Sequence, residues 1–144
     1  MPKSDYASDF YAWATEQAAL LRAGKFAAAD IEHIAEELES LGKTEKRELV
    51  NCVGALQLGL LKWRYQPKGR SANWQASIKL RRLNVREHLK GNPSLEAKLP
   101  EAMGTAFRWA VTEAAEETRL AESDLPANCP WSFDEMMKGD FWPN

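Results

Sequence analysis

At 144 residues, with 44% hydrophobic and 28% charged residues, the chain has the composition of one soluble globular domain spanning residues 1–144. Its net charge of −2 argues against a dedicated nucleic-acid binder, and two cysteines, Cys52 and Cys129, do not make a disulfide framework. Met1 to Asp9 is polar and no apolar run approaches the roughly 18 residues of a membrane span, so a cytoplasmic protein without membrane association is expected.

The first helix begins near Asp5 or Ser8 and runs to Arg22, carrying Phe10, Trp13, Gln17, Leu20 and Leu21 at helical spacing, with Gly24 closing it. Asp30 is a natural N-cap for a second helix with the stripe Ile31, Ile34, Ala35, Leu38 and Leu41, and Gly42 is expected to end it. A third helix, capped by Thr44, is the spine. Leu49, Val53, Leu56, Leu60 and Trp63 form one continuous seam, and Leu58, Leu61 and Tyr65 add a second apolar face. A helix apolar on two faces sits between neighbours, so this one is placed centrally.

Pro67 stops the spine, and a fourth helix runs from Ser71 or Ala72 to Lys90, where Gly91-Asn92-Pro93 is a strong stop. A short turn follows from Ser94 to Leu99. The fifth helix starts near Pro100, a favoured first-turn position, and ends around Arg119, with the stripe Met103, Phe107, Ala110, Val111, Ala114 and Thr118. The tail holds one short helical turn near Phe133 to Lys138 and packs back through Trp131, Phe133, Phe141 and Trp142. No segment alternates as a strand does. The predicted class is all-α, a compact bundle of about five main helices with an ordered aromatic C-terminal tail.

Four constellations bear on function. Arg82 lies on the apolar stripe Ile78, Val85, Leu89 of the fourth helix, and a cation taken out of water must be paired. Glu117, Glu39 and Glu37 border neighbouring stripes and are the expected partners. The bland reading is a structural ion pair that fixes helix register; the sharper one is an enzyme with a buried Arg–Glu polar centre.

Glutamates also cluster on the second and fifth helices. A di-iron site requires Glu-x-x-His pairs, and the only histidines, His33 and His88, follow Asp30 and Val85 by three. No metal and no cofactor are expected, and no spacing ties a serine or cysteine to a base.

From Lys62 to Lys90 nine cations face one acid, Glu87. Lys62, Arg64, Lys68, Arg70, Trp74 and Arg86 could therefore neutralise phosphates and stack bases, as a polyanion-binding (nucleic-acid) module would. Against this, the acidic segment Asp30 to Leu41 would consume much of that charge internally. Finally, Trp109 stands opposite the fifth helix's stripe, which marks an interface, either with the protein's own tail or with a second protein.

Asp9-Phe10-Tyr11-Ala12-Trp13, Glu16 to Arg22, Ala35 to Gly42, Leu60 to Pro67, Asn92-Pro93-Ser94-Leu95, Glu117-Thr118, Cys129-Pro130 and Phe141-Trp142-Pro143 occur here in an order that resembles the family catalogued as domain of unknown function 29. The resemblance implies a compact helical domain found in bacteria, cyanobacteria prominently, with no assigned activity. It also exposes a departure. The family pattern often has His before Leu-Leu-Lys-Trp, where this chain has Gly59.

With no catalytic constellation and a surplus of aromatics, the function expected is that of a non-enzymatic protein-binding or adaptor module. Its partner would be another protein or a second copy, with nucleic acid the less favoured alternative.

Overall fold

The computed structural model describes residues 5–144. Among them the elements are helices, short 3-10 turns and loops, with no strand. The chain divides into two compact units, one up to Thr44 and one from Glu45.

The first unit opens with α1 (Phe10–Arg22), capped by Asp9, whose carboxylate accepts from the Ala12 N–H at 3.1 Å. Gly24 adopts φ +73°, a left-handed conformation that lets the Lys25 N–H reach back to the Leu20 carbonyl at 2.9 Å. After the 3-10 turn Phe26–Ala28, Asp30 caps α2 (Ile31–Tyr65). The buried side chains of α1 are Trp13 and Gln17.

Helix α2 is 35 residues, where two helices had been expected. Gly42 does not stop it, because a glycine inside a helix costs only about 1 kcal/mol, less than the flanking turns contribute. Thr44 does not cap a new helix either. Its hydroxyl bonds back to the Ser40 carbonyl at 3.0 Å, satisfied within the same helix.

In the second unit the expected seam of α2 is the core. Leu49, Val53, Leu56, Leu60 and Leu61 are fully buried. Pro67 ends the helix and a 3-10 turn, Pro67–Gly69, leads into α3 (Ala72–Gly91), capped by Ser71. Ile78 and Val85 of α3 and Ala102, Ala106, Phe107, Ala110 and Ala114 of α4 (Leu99–Thr118) close on the seam. Arg119, at φ +62°, turns the chain out of α4. The tail then returns to the core through Leu125, Trp131 and Met136 of α5 (Phe133–Met137), a short helix secured by a Ser132–Glu135 capping box.

Candidate functional site

A groove of about 670 Å³ is lined by Arg47, Val50, Asn51, Gly54, Ala55 and Leu58 of α2, Thr105, Ala106, Trp109, Ala110 and Glu113 of α4, and Arg81 of α3. Its floor exists because small residues meet there: a Cβ on Gly54 would lie 3.5 Å from the Ala106 Cβ, so the two helices approach closely. The stripe Ala106, Phe107, Ala110 and Ala114 points inward, which turns Trp109 outward, 68% exposed. The tail does not cover it. Its aromatic residues are spent elsewhere, with Trp142 4.8 Å from Trp63 and Trp131 6.0 Å from Phe141, ring centre to ring centre.

The tail is held by two arginines. Arg82, 3% exposed, donates its Nε to the Met136 carbonyl at 2.7 Å, an Nη to the Gly139 carbonyl at 3.4 Å and the other to that of Phe141. The expected carboxylates are absent from this arrangement: Glu117 pairs with Lys62 at 3.2 Å, Glu37 accepts from the Tyr6 hydroxyl, and Glu39 is exposed. The stripe position made Arg82 inward-facing, but its acceptors are main-chain oxygens, to which residue spacing is blind. Burial pushes the guanidinium pKa down, with Asp140 acting weakly in the other direction. Arg82 thus faces carbonyls and the Trp142 ring, 5.1 Å away, rather than a void that could take an anionic substrate.

Arg70 does the same at the next position. Its Nε donates to the Trp63 carbonyl at 2.7 Å, and an Nη reaches the Pro143 carbonyl at 3.4 Å. The basic block is therefore divided. Lys62 leans over Trp74 (5.0 Å) while paired with Glu117, Arg64 lies over the Tyr65 ring (5.2 Å), and Lys68 and Arg86 stand exposed. Trp74 itself lies against Gly69, where any added side chain would collide with its ring. Arg70 and Arg82 are taken out of any phosphate-binding surface by their inward bonds.

At Gly59 an added Cβ would stand 2.9 Å from Arg81 Nη1 and 3.1 Å from Ile78 Cγ1. Arg81 Nη1 donates to the Ala55 carbonyl at 2.8 Å. A guanidinium from α3 fills the volume that a side chain at position 59 would need.

In the first unit the structure assembles a cluster that sequence reasoning missed. Asp30 accepts from Trp13 Nε1 at 3.0 Å and meets His33 Nδ1 at 2.7 Å, while its own N–H donates to Gln17 at 2.7 Å. The Tyr6 ring stacks on His33 at 4.1 Å, and its hydroxyl donates to Glu37, which pushes the Tyr6 pKa up to about 12. The available signal was the spacing: Asp30 and His33, three apart at a helix start, share one face. His33 is raised above its ordinary value, chiefly by its bond to Asp30, and Asp30 is lowered, chiefly by the same bond.

The raised histidine stabilises the fold below its ordinary pKa of 6.5 and loses that contribution as pH rises through its folded value. The lowered aspartate contributes above its ordinary value of 3.8 and loses it as pH falls through its folded value. The pair is therefore strongest between these limits. We expect the His33 ring signals to titrate with a midpoint above 6.5 by NMR, and Asp30→Asn to return the midpoint toward 6.5; an unmoved midpoint would refute the pairing.

Chemically the cluster is an oriented imidazole, and among the described residues no serine, threonine or cysteine hydrogen-bonds to it. Both thiols are unpaired and buried enough to stay protonated at neutral pH: burial, with Glu48 beside it, pushes Cys52 up to about 11, and burial raises Cys129. Among the described residues no three His, Cys, Asp or Glu side chains come together as metal ligands do, and no helix is long and apolar enough to cross a membrane.

No curated protein and no solved structure matches the chain. The family described as Domain of unknown function DUF29 matches residues 6–142, nearly the whole sequence and every element described above. The chain belongs to the DUF29 family, whose function is not established.

Proposed function

We propose that the protein is a non-enzymatic binding module of the bacterial cytoplasm that docks a protein segment in the groove beside Trp109. The observation that carries this reading is the exposure of Trp109 above an apolar groove while the tail's aromatics pack elsewhere. An indole on open surface is costly to leave in water and is enriched at the centres of protein contacts. Cations at Arg47 and Arg81 and the acid at Glu113 give the rim a polar edge, the usual anatomy of such a contact. The two unpaired thiols fit a reducing compartment.

The test is gentle purification of a tagged copy from its own host at low salt, beside a Trp109→Ala copy. A stoichiometric protein held by the natural chain and lost at least tenfold by the variant is the expected result. Retention of the same protein by Trp109→Ala would move the contact off this groove. Nucleic acid that co-elutes and leaves on raising salt would instead favour the exposed cations Arg64, Lys68 and Arg86.

A further inference from the structure

The apolar spacing of α2 is present in the first unit as well as in the second. Ile31, Ala35, Leu38 and Gly42 each precede Leu49, Val53, Leu56 and Leu60 by 18 residues, about five helical turns, so the sequence pattern of the core seam is repeated in the first unit. The later residues are fully buried, whereas Ile31 is 54% exposed and Leu38 and its neighbour Leu41 are each 63% exposed. Phe10, Leu21 and Phe26 of the same unit are exposed as well. A unit of this size with so little buried is below what a chain normally stabilises without a partner.

Charge says what the partner is. Residues 1–44 hold eight acids against four cations, and residues 45–144 hold thirteen acids against fifteen cations. The stripe is flanked by Glu32, Glu36 and Glu39 with no cation between Asp30 and Leu41. Two such faces would repel each other. The Trp109 groove, by contrast, carries two cations, Arg47 and Arg81, against one acid, Glu113, along an apolar floor. An acidic helix presenting aliphatic side chains at i, i+3, i+7 and i+10 is the occupant that this groove fits, and Ile31, Ile34, Leu38 and Leu41 form that pattern.

We propose that the groove of one copy takes the Ile31–Leu41 stripe of a second copy, and that the exchange is reciprocal, closing a two-fold dimer. The inference rests on the Trp109 groove being a protein-docking site. It names the occupant: this chain itself. Each copy then covers its partner's open stripe and has its own indole covered, and the dimer weakens with salt because acids meet arginines across it.

Sedimentation equilibrium of the full chain, of Leu38→Glu and of Trp109→Ala tests this, with circular dichroism to verify that both exposed-site variants keep their helix content. The natural chain is expected to be dimeric at micromolar concentration, each variant to dissociate at least tenfold more readily, and an equimolar mixture of the two to associate more tightly than either alone. The mixture is decisive, since one intact stripe-in-groove contact is restored only there. Weakening by Leu38→Glu alone would mean stripe against stripe, and weakening by Trp109→Ala alone would mean groove against groove; either overturns the proposal. A monomeric natural chain that still loses a host protein on Trp109→Ala overturns the second-copy occupant while leaving the docking function standing.

Discussion

Replacing Arg82 with methionine is expected to destabilise the protein by about 3 kcal/mol, because it leaves the buried Met136 carbonyl and two part-buried ones without their donor, at roughly 1–3 kcal/mol for a buried group. The residue is 3% exposed and donates to the Met136, Gly139 and Phe141 carbonyls, of which the bond to Met136 is fully buried. Methionine keeps most of the stem volume, so the loss reports the hydrogen bonds rather than a cavity. Arg82→Lys retains the charge but not the fork, and is expected to fall between the two. Urea unfolding gives the magnitude. Tryptic cleavage after Lys138, which lies between the carbonyls that Arg82 holds, should accelerate in both variants. A methionine variant with an unchanged midpoint and unchanged cleavage would show that the tail is secured by its aromatic packing alone.

Gly59→His is expected to cost about 2 kcal/mol, the usual scale of overpacking a filled interior. The imidazole has to displace a guanidinium 2.9 Å from where its Cβ would stand, and Ile78 blocks retreat at 3.1 Å. Because the obstacle is the far end of Arg81, removing it should help. Thermal unfolding of Gly59→His, Arg81→Ala and the double variant forms a cycle in which the double is at least about 1 kcal/mol better than the sum of the singles. Additive losses would place the obstacle at Ile78 instead. The volume that a side chain at position 59 would need is thus filled by a guanidinium arriving from a different helix.

What the sequence made legible follows the physics of each signal. The seam Leu49 to Trp63 was readable because period and burial are the same fact for a core helix. Trp109 could be placed on the outer face by the same arithmetic, but whether the tail reached it depends on where loops carry the chain, which no periodicity encodes. Gly42 misled because stop signals are weak compared with the cooperativity of a 35-residue helix. Arg82 could be turned inward from its stripe, yet its partners could not be named, because the acceptors are backbone oxygens, which no residue type or spacing marks. The Asp30–His33 contact was missed because Asp30 was given one role, the cap, when its two oxygens serve two: Oδ1 accepts from the His33 N–H and Oδ2 from the ring.

The two arginine clamps on the tail have a consequence for how this segment can change over time. Oxygens of the main chain are present whatever residue occupies a position, so the clamps count residues rather than recognise them. A side chain at Gly139 would meet nothing within 4 Å, so that position can drift without loosening the hold. An insertion or deletion of one residue between Met136 and Pro143 would carry the carbonyls out of register with Arg82 and Arg70 together. The hold on the tail therefore depends on its length before it depends on its letters.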